Sequence, residues 1–253
     1  MLSPTVVGTI IYACMLIILC IGFTLTHIME KFPNFAHASY ATIGTMLTFN
    51  FVRIWGYNPY LVIPFAFLLG GGIGVALYVS VVRPMQRRGR GGIALTFATL
   101  ALSIVLTAFL AIYSYWVMST LGFRAGSFIL KGYDFDWQGY PGVFFVAPTI
   151  SIILVFSLHI FLTRARFGIA IRAAYENPFL STALGINVTR VHLLSWFLTG
   201  AMSALAGAIL PLWMSTRLGS SDELLVSVIA GSVLGGLDNI YGAIIGGIVI
   251  AMA

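Results

Sequence analysis

Seven apolar stretches divide the chain, at residues 5–26, 35–54, 59–82, 93–113, 143–163, 191–213 and 224–253. Each of the first six is near the roughly 20 residues that a helix needs to cross a bilayer. The seventh is different, because Gly235-Gly236-Leu237-Asp238-Asn239 interrupts it and leaves two short apolar pieces. Short glycine-interrupted segments are the pattern of re-entrant or discontinuous helices, which often line a solute path. A single kinked helix facing lipid, with a tolerated Asp, is the plainer alternative. The pattern predicts an all-α fold: a polytopic membrane helix bundle of about seven to eight spans, forming one domain over residues 1–253.

Composition agrees with that class. Hydrophobic residues make up 60% of the 253 positions and charged residues 8%, against about a quarter charged in a soluble domain. The first apolar run has no basic region before it and no small-residue cleavage site, which predicts a retained helix. Cys14 and Cys20 lie in that one span on different faces, as packing residues and not a disulfide. The sequence stops inside an apolar run, so either the natural chain continues or its last helix is blunt.

Charge sets the expected orientation. Residues 83–92 hold Arg83, Arg87, Arg88 and Arg90, and residues 164–190 hold Arg164, Arg166, Arg172 and Arg190 against one acid, Glu176. Short basic loops stay cytoplasmic. Two spans separate them, so the parity is consistent, the amino terminus is expected outside, and residues 114–142 form an outside loop. The net charge of +6 comes from these loops, with no basic face or aromatic platform for nucleic acid.

Small residues mark helix contacts. Gly70, Gly71, Gly72 and Gly74 lie in the third span, and Gly231, Gly235, Gly242 and Gly246 in the seventh. Such residues let helices approach closely in lipid.

Chemistry-bearing residues are sparse. All seven acids lie at span ends, in loops or at the break, and only Asp238 could act at mid-membrane. A proton- or sodium-coupled carrier needs an ionisable or coordinating group there. The energy for transport is therefore expected from another subunit, and Asp238 is expected to be structural. The four histidines fall near the cytoplasmic span ends, without the spacing of a helical metal motif, so neither a metal nor any other cofactor is expected. His37 is the exception to watch. Pro33-Asn34-Phe35-Ala36-His37 should be non-helical, and irregular backbone at membrane depth must line protein or water. No phosphate-binding glycine loop, serine elbow or carboxylate pair supports an enzyme.

Two segments are expected to line a neutral solute path from opposite sides. One is 33–45, with Asn34, Phe35, His37, Ser39, Thr42 and Thr45. The other is 224–247, with Ser227 and Ser232, entered through Ser220-Ser221-Asp222-Glu223, where Ser220 and Glu223 have capping-box spacing. The loop 164–190 is expected to fold as two short surface helices. Arg164 to Glu176 forms the first, Asn177-Pro178 caps and opens the second, and Gly185 ends it. That grammar describes a docking knob, with a plain solvated hairpin as the alternative.

Asn34-Phe35-Ala36-His37-Ala38 followed by Gly44 resembles the "NFAHG…LGAY" stretch of branched-chain amino-acid ABC transporter permeases, LivH-like more than LivM-like. Thr163-Arg-Ala-Arg-Phe-Gly168, Ile171-Arg172-Ala173, Glu176-Asn177 and Leu184 to Arg190 are similar to that family's cytoplasmic signature. Ala204-Leu-Ala-Gly207, Val233 to Gly236 and Tyr241 to Gly247 resemble its later segments. Ala38 stands where the family usually has Gly, and Asp238 where a small residue is common. The family usually has one further helix beyond the point where this sequence stops.

The resemblance implies a permease of an importer in the cell (cytoplasmic or inner) membrane. Its partners would be two ATP-binding cassette ATPases, a second permease (a homologue or another copy) and an extracytoplasmic solute-binding protein. ATPase coupling would fall to Arg166, Gly168, Arg172, Glu176, Asn177, Gly185 and Asn187. The same family serves urea and short amides. A self-sufficient channel or ion-coupled carrier is the rival from another class.

Overall fold

A computed structural model describes residues 2–218 and 220–253, without the side chains of Pro178, Ser221 and Asp222. Among the described residues, helices dominate. Helix α1 (Pro4–Glu30) starts at Ser3, whose hydroxyl accepts from the Val6 amide, with Pro4 in the first turn. Every residue from Met15 to Thr26 is buried. A helix buried all round lies at the centre of its bundle.

Helix α2 (His37–Phe49) runs on through a π-helical turn, Asn50–Ile54. The next long helix is continuous from Pro59 to Arg87. It contains α3 (Val62–Leu77), a π turn at Tyr78–Val82 and α4 (Arg83–Arg87). The basic loop expected over 83–92 is therefore half helical, and only residues 88–91 turn. The π turn just before Pro84 lets the helix absorb a residue that has no amide to donate. Helix α5 (Gly92–Leu121) also outruns its expected span, ending at Gly122 with φ 74°. Tyr115 and Trp116 lie in that extension, and aromatic side chains of this kind collect at bilayer interfaces.

Helix α6 (Val143–Arg164) precedes two short helices, α7 (Arg166–Glu176) and α8 (Pro178–Ala183). Then come α9 (Val188–Ile209), with a 3-10 turn to Leu212, and α10 (Ser220–Gly235) and α11 (Ile240–Met252). Five helices are long and apolar enough to cross a membrane, and α10 and α11 are shorter apolar helices. The protein is a multi-pass membrane helix bundle.

At the end away from the basic turn, β1 (Ser127–Phe128) pairs antiparallel with β4 (Thr216–Arg217). The hairpin of β2 (Asp136–Trp137) and β3 (Tyr140–Pro141) turns through Gln138 and Gly139, both at positive φ. That is the backbone a two-residue hairpin turn needs. Asp134 braces this end, accepting from the Tyr60 hydroxyl at 2.5 Å and from the Val143 amide at the start of α6 at 2.8 Å.

Glycines set the helix contacts. A Cβ on Gly44 would collide with the carbonyl of Ala204, and one on Gly207 with that of Ala41, so α2 and α9 touch backbone to backbone. Gly70 and Gly74 meet Gly200 and Trp196 on α9 in the same way, whereas Gly72 faces open space. Gly231 faces Gly246, and Gly235 faces Gly242. These last two pairs make α10 and α11 an antiparallel hairpin. The break at 235–239 is thus the hairpin's turn, formed by Gly236 at φ 92° and by Asn239, whose side chain accepts from the Tyr241 and Gly242 amides.

Candidate solute path and coupling surface

After α1 the chain reverses at Lys31 and turns back into the bundle. Phe32, Asn34 and Ala36 are buried, and Asn34 accepts from the Ala36 amide at 3.1 Å. The Phe35 amide donates to Thr99 on α5 at 3.2 Å. His37 then reaches the carbonyl of Leu19, 2.9 Å from its Nε2. Leu19 lies eleven residues before Glu30, about 16 Å along α1 at 1.5 Å per residue. So α2 begins inside the bundle, and its irregular entry lines protein. His37 is not at a span end as the sequence suggested. The signal that misled was its nearness in sequence to the end of α1. His37 Nδ1 is buried without a hydrogen-bond partner, and Phe23 and Tyr40 meet the ring edge-on.

The other polar side chains of α2 bind helices around it. Ser39 pairs with Ser103 on α5 at 2.9 Å, and Thr45 donates to the Gly207 carbonyl at 2.8 Å. Thr48 repeats that bond one turn later, to Ala208 at 2.7 Å. Thr42 bonds only within its own helix, to Ala38. On α10, Ser232 donates to the Cys20 carbonyl at 3.4 Å and Ser227 to Glu223 at 3.2 Å. Ser227 also lines a cleft of about 240 Å³ with Tyr12, Thr216, Ser220 and Glu223. Helices α2 and α10 pack against each other. The structure therefore brings the two expected path segments together, with hydroxyls serving as links between helices. The cap-like run is only partly seen: the side chains of Ser221 and Asp222 lie outside the described residues, and Ser220 donates to Arg217 at 2.7 Å.

Two short helices follow α6 as expected, although the first starts at Arg166 and not Arg164, because Arg164 closes α6 and Ala165 is extended. Asn177 accepts from the Leu180 amide at 2.9 Å, and Gly185 takes φ 81° after α8. Asn187 caps α9 by accepting from the Arg190 amide at 3.2 Å. Gly168 lies against the Phe161 carbonyl, where any side chain would collide, which seats α7 on the end of α6. Arg166, Arg172 and Glu176 are exposed. What sequence reading missed is the knob's apolar surface: Phe179 is 90% exposed and Leu184 73%, and Phe167 and Leu180 are exposed as well. The turn of the α10–α11 hairpin lies at this same end, since Asp238 meets Lys31 there.

A buried polar cluster at this end was also missed. The Glu30 side chain is fully buried and accepts from Trp196 Nε1 at 2.8 Å and lies 2.7 Å from His192 Nδ1. Tyr78 stacks on His192. The one-turn spacing of His192 and Trp196 was the available signal, since it places both on one face of α9. No group of three His, Cys, Asp or Glu suited to a metal occurs among the described residues.

Residues 5–253 match the family model described as branched-chain amino acid transport system / permease component. The chain belongs to this family. The permease is 35% identical to a probable branched-chain amino acid transport permease protein LivH of Methanocaldococcus jannaschii, over 97% of this chain and 78% of that protein. It is 27% identical to the high-affinity branched-chain amino acid transport system permease protein LivH of Escherichia coli, over 93% of this chain and 79% of the relative. With BraD of Pseudomonas aeruginosa it shares 23% identity over 93% of its own length and 80% of the relative's. No solved structure matches the permease.

Proposed function

We propose that the permease is the membrane-spanning subunit of an ABC importer for branched-chain amino acids. It works with ATP-binding cassette ATPases, a second permease subunit and an extracytoplasmic solute-binding protein, in the cell's inner membrane with its amino terminus outside. The observation that carries this reading is the α7–α8 knob. Its two short helices, the second capped by Asn177, lie at the basic-turn end and hold apolar side chains in the open. Exposed apolar clusters rimmed by charge mark protein contacts, and the rim here is Arg166, Arg172 and Glu176.

The path runs where α2 faces α10, closed in this conformation by their contact. Among the described residues, the buried polar residues of α2 and α10 are His37, Ser and Thr side chains, and the one fully buried carboxylate described above, Glu30, lies apart from them at the end of α1. A solute without net charge suits such a path, because a charge at membrane depth costs at least about 2.5–3.5 kcal/mol. High affinity then resides in the binding protein, and the permease gates passage. Names of the relatives across nearly the whole chain support the branched-chain solute.

Pull-down tests the knob. Phe179→Asp with Leu184→Asp should abolish co-purification of the ATPase while the permease still inserts and runs as a single species in detergent. Undiminished ATPase recovery with both substitutions would overturn the docking assignment.

A further inference from the structure

Lys31 occupies a position that glycine would suit better. Its φ of 58° is left-handed, at the end of α1, and its amide donates to the His27 carbonyl as a helix cap. A side chain in that region carries a backbone cost that glycine avoids. The side chain explains why a lysine can be useful there. Its Nζ lies 3.1 Å from Asp238 Oδ1, in the turn of the α10–α11 hairpin, and 4.1 Å from the ring centre of Tyr175 on α7. One ammonium therefore joins the coupling-side helix α7 to the hairpin that carries Ser227 and Ser232.

Between those two elements lies a cleft of about 260 Å³, open on one side. Tyr175, Arg172 and Glu176 line it from α7, and Asp238, Tyr241 and Ile244 from the hairpin side. An open cleft leaves α7 room to move against the hairpin. Ion pair and cation–π contact span it from a fixed point, because α1 is the buried centre of the bundle. His27 adds to this point, with its Nδ1 buried, unbonded and 3.9 Å from Asp238.

We infer that Lys31 is a positioning residue that links movement of α7 to the α10–α11 hairpin, and so ties ATPase docking to opening of the solute path. The inference rests on the proposed importer reading for its functional half only.

Two measurements separate the halves. The first uses the purified permease in lipid, without any ATPase: spin labels on Glu176→Cys in α7 and on Leu234→Cys, an exposed position of α10 in the hairpin, report their distance distribution. Lys31→Gly keeps a backbone suited to positive φ and removes only the side chain. It should leave thermal stability equal or higher and broaden the distribution, and Lys31→Arg, which retains both contacts, should leave it narrow. An unchanged distribution in Lys31→Gly overturns the linkage.

The second uses the assembled importer in proteoliposomes with its binding protein and leucine. Lys31→Gly should leave ATP hydrolysis running while solute moved per ATP falls about tenfold, the scale set by one exposed ion pair and one cation–π contact together. Lys31→Arg should restore the ratio. A normal ratio in Lys31→Gly, or equal loss of both rates, would overturn the coupling role. Absence of ATP-driven uptake in the unsubstituted assembly would instead overturn the importer reading, with the distance result still deciding the linkage.

Discussion

Oε1 of Glu30, the last residue of α1, lies 2.7 Å from Nδ1 of His192 near the start of α9. The same oxygen accepts from Trp196, and Gln86 donates to the other carboxylate oxygen at 2.5 Å. Three chain segments thus meet on one side chain with no exposed surface.

Glu30→Ala should therefore be strongly destabilising. It leaves the Trp196 and Gln86 donors without their acceptor at a partly buried site, and stranding buried donors costs about 1–3 kcal/mol each. Glu30→Gln retains a carbonyl acceptor and should cost clearly less. Unfolding midpoints in detergent give the order; an Ala variant as stable as the unsubstituted protein would show that the cluster contributes little.

Glycine positions should separate just as sharply. Gly207→Ala places a methyl group against the Ala41 carbonyl, and the α2–α9 contact must open to admit it. Overpacking of this kind costs about 1–3 kcal/mol. Gly72→Ala meets nothing within 4 Å, and in a helix interior it should be neutral or stabilising by up to about 1 kcal/mol. Thermal unfolding of the two variants side by side is the check, and equal effects would contradict the contact map.

Such contrasts show what the sequence could and could not convey. The spans of α1, α6 and α9 were legible from apolar length alone, and the Asn177-Pro178 cap from its own grammar. Gly70 and Gly72 look alike in sequence, because periodicity does not say which face meets α9. Likewise α2, filled with His37, Ser39, Thr42 and Thr45, is too polar to count among the five apolar helices; its depth depends on neighbours that accept its hydroxyl bonds. The reversal at Lys31 left no signal, since the left-handed turn uses a residue that rarely adopts one. The hairpin was half legible: glycine spacing showed a close contact, but not that Gly235 finds Gly242 within its own segment.

Asp238 provides a test of the neutral path. It sits in the hairpin turn with its side chain 58% exposed, and pairs with Lys31, itself 54% exposed. Exposed pairs contribute at most about 1 kcal/mol. Asp238→Asn keeps an oxygen to accept from Lys31, so the assembled importer should retain most of its uptake. Asp238→Ala removes the acceptor but leaves Lys31 on Tyr175, so it should lower solute moved per ATP in the direction of Lys31→Gly but by less. Uptake abolished by Asp238→Asn in a stable complex would make the carboxylate a pathway group.

Thiol labelling should reveal when the path opens. Ser39 and Ser232 are 0% exposed and hydrogen-bonded to neighbouring helices, whereas Ser227 is half-buried beside an open cleft. A cysteine at 227 should react with a water-soluble maleimide in the resting permease, since its cleft already admits water. Cysteines at 39, 42 or 232 should react only when α2 and α10 separate. Their labelling should therefore rise when the importer turns over with ATP and binding protein, and stay low without them. Thr42 is the most informative of the three, because its hydroxyl bonds only within its own helix, so a cysteine there breaks no link to a neighbour. Complete protection of position 42 in every transport state, with position 227 labelling normally, would move the path away from the α2–α10 contact.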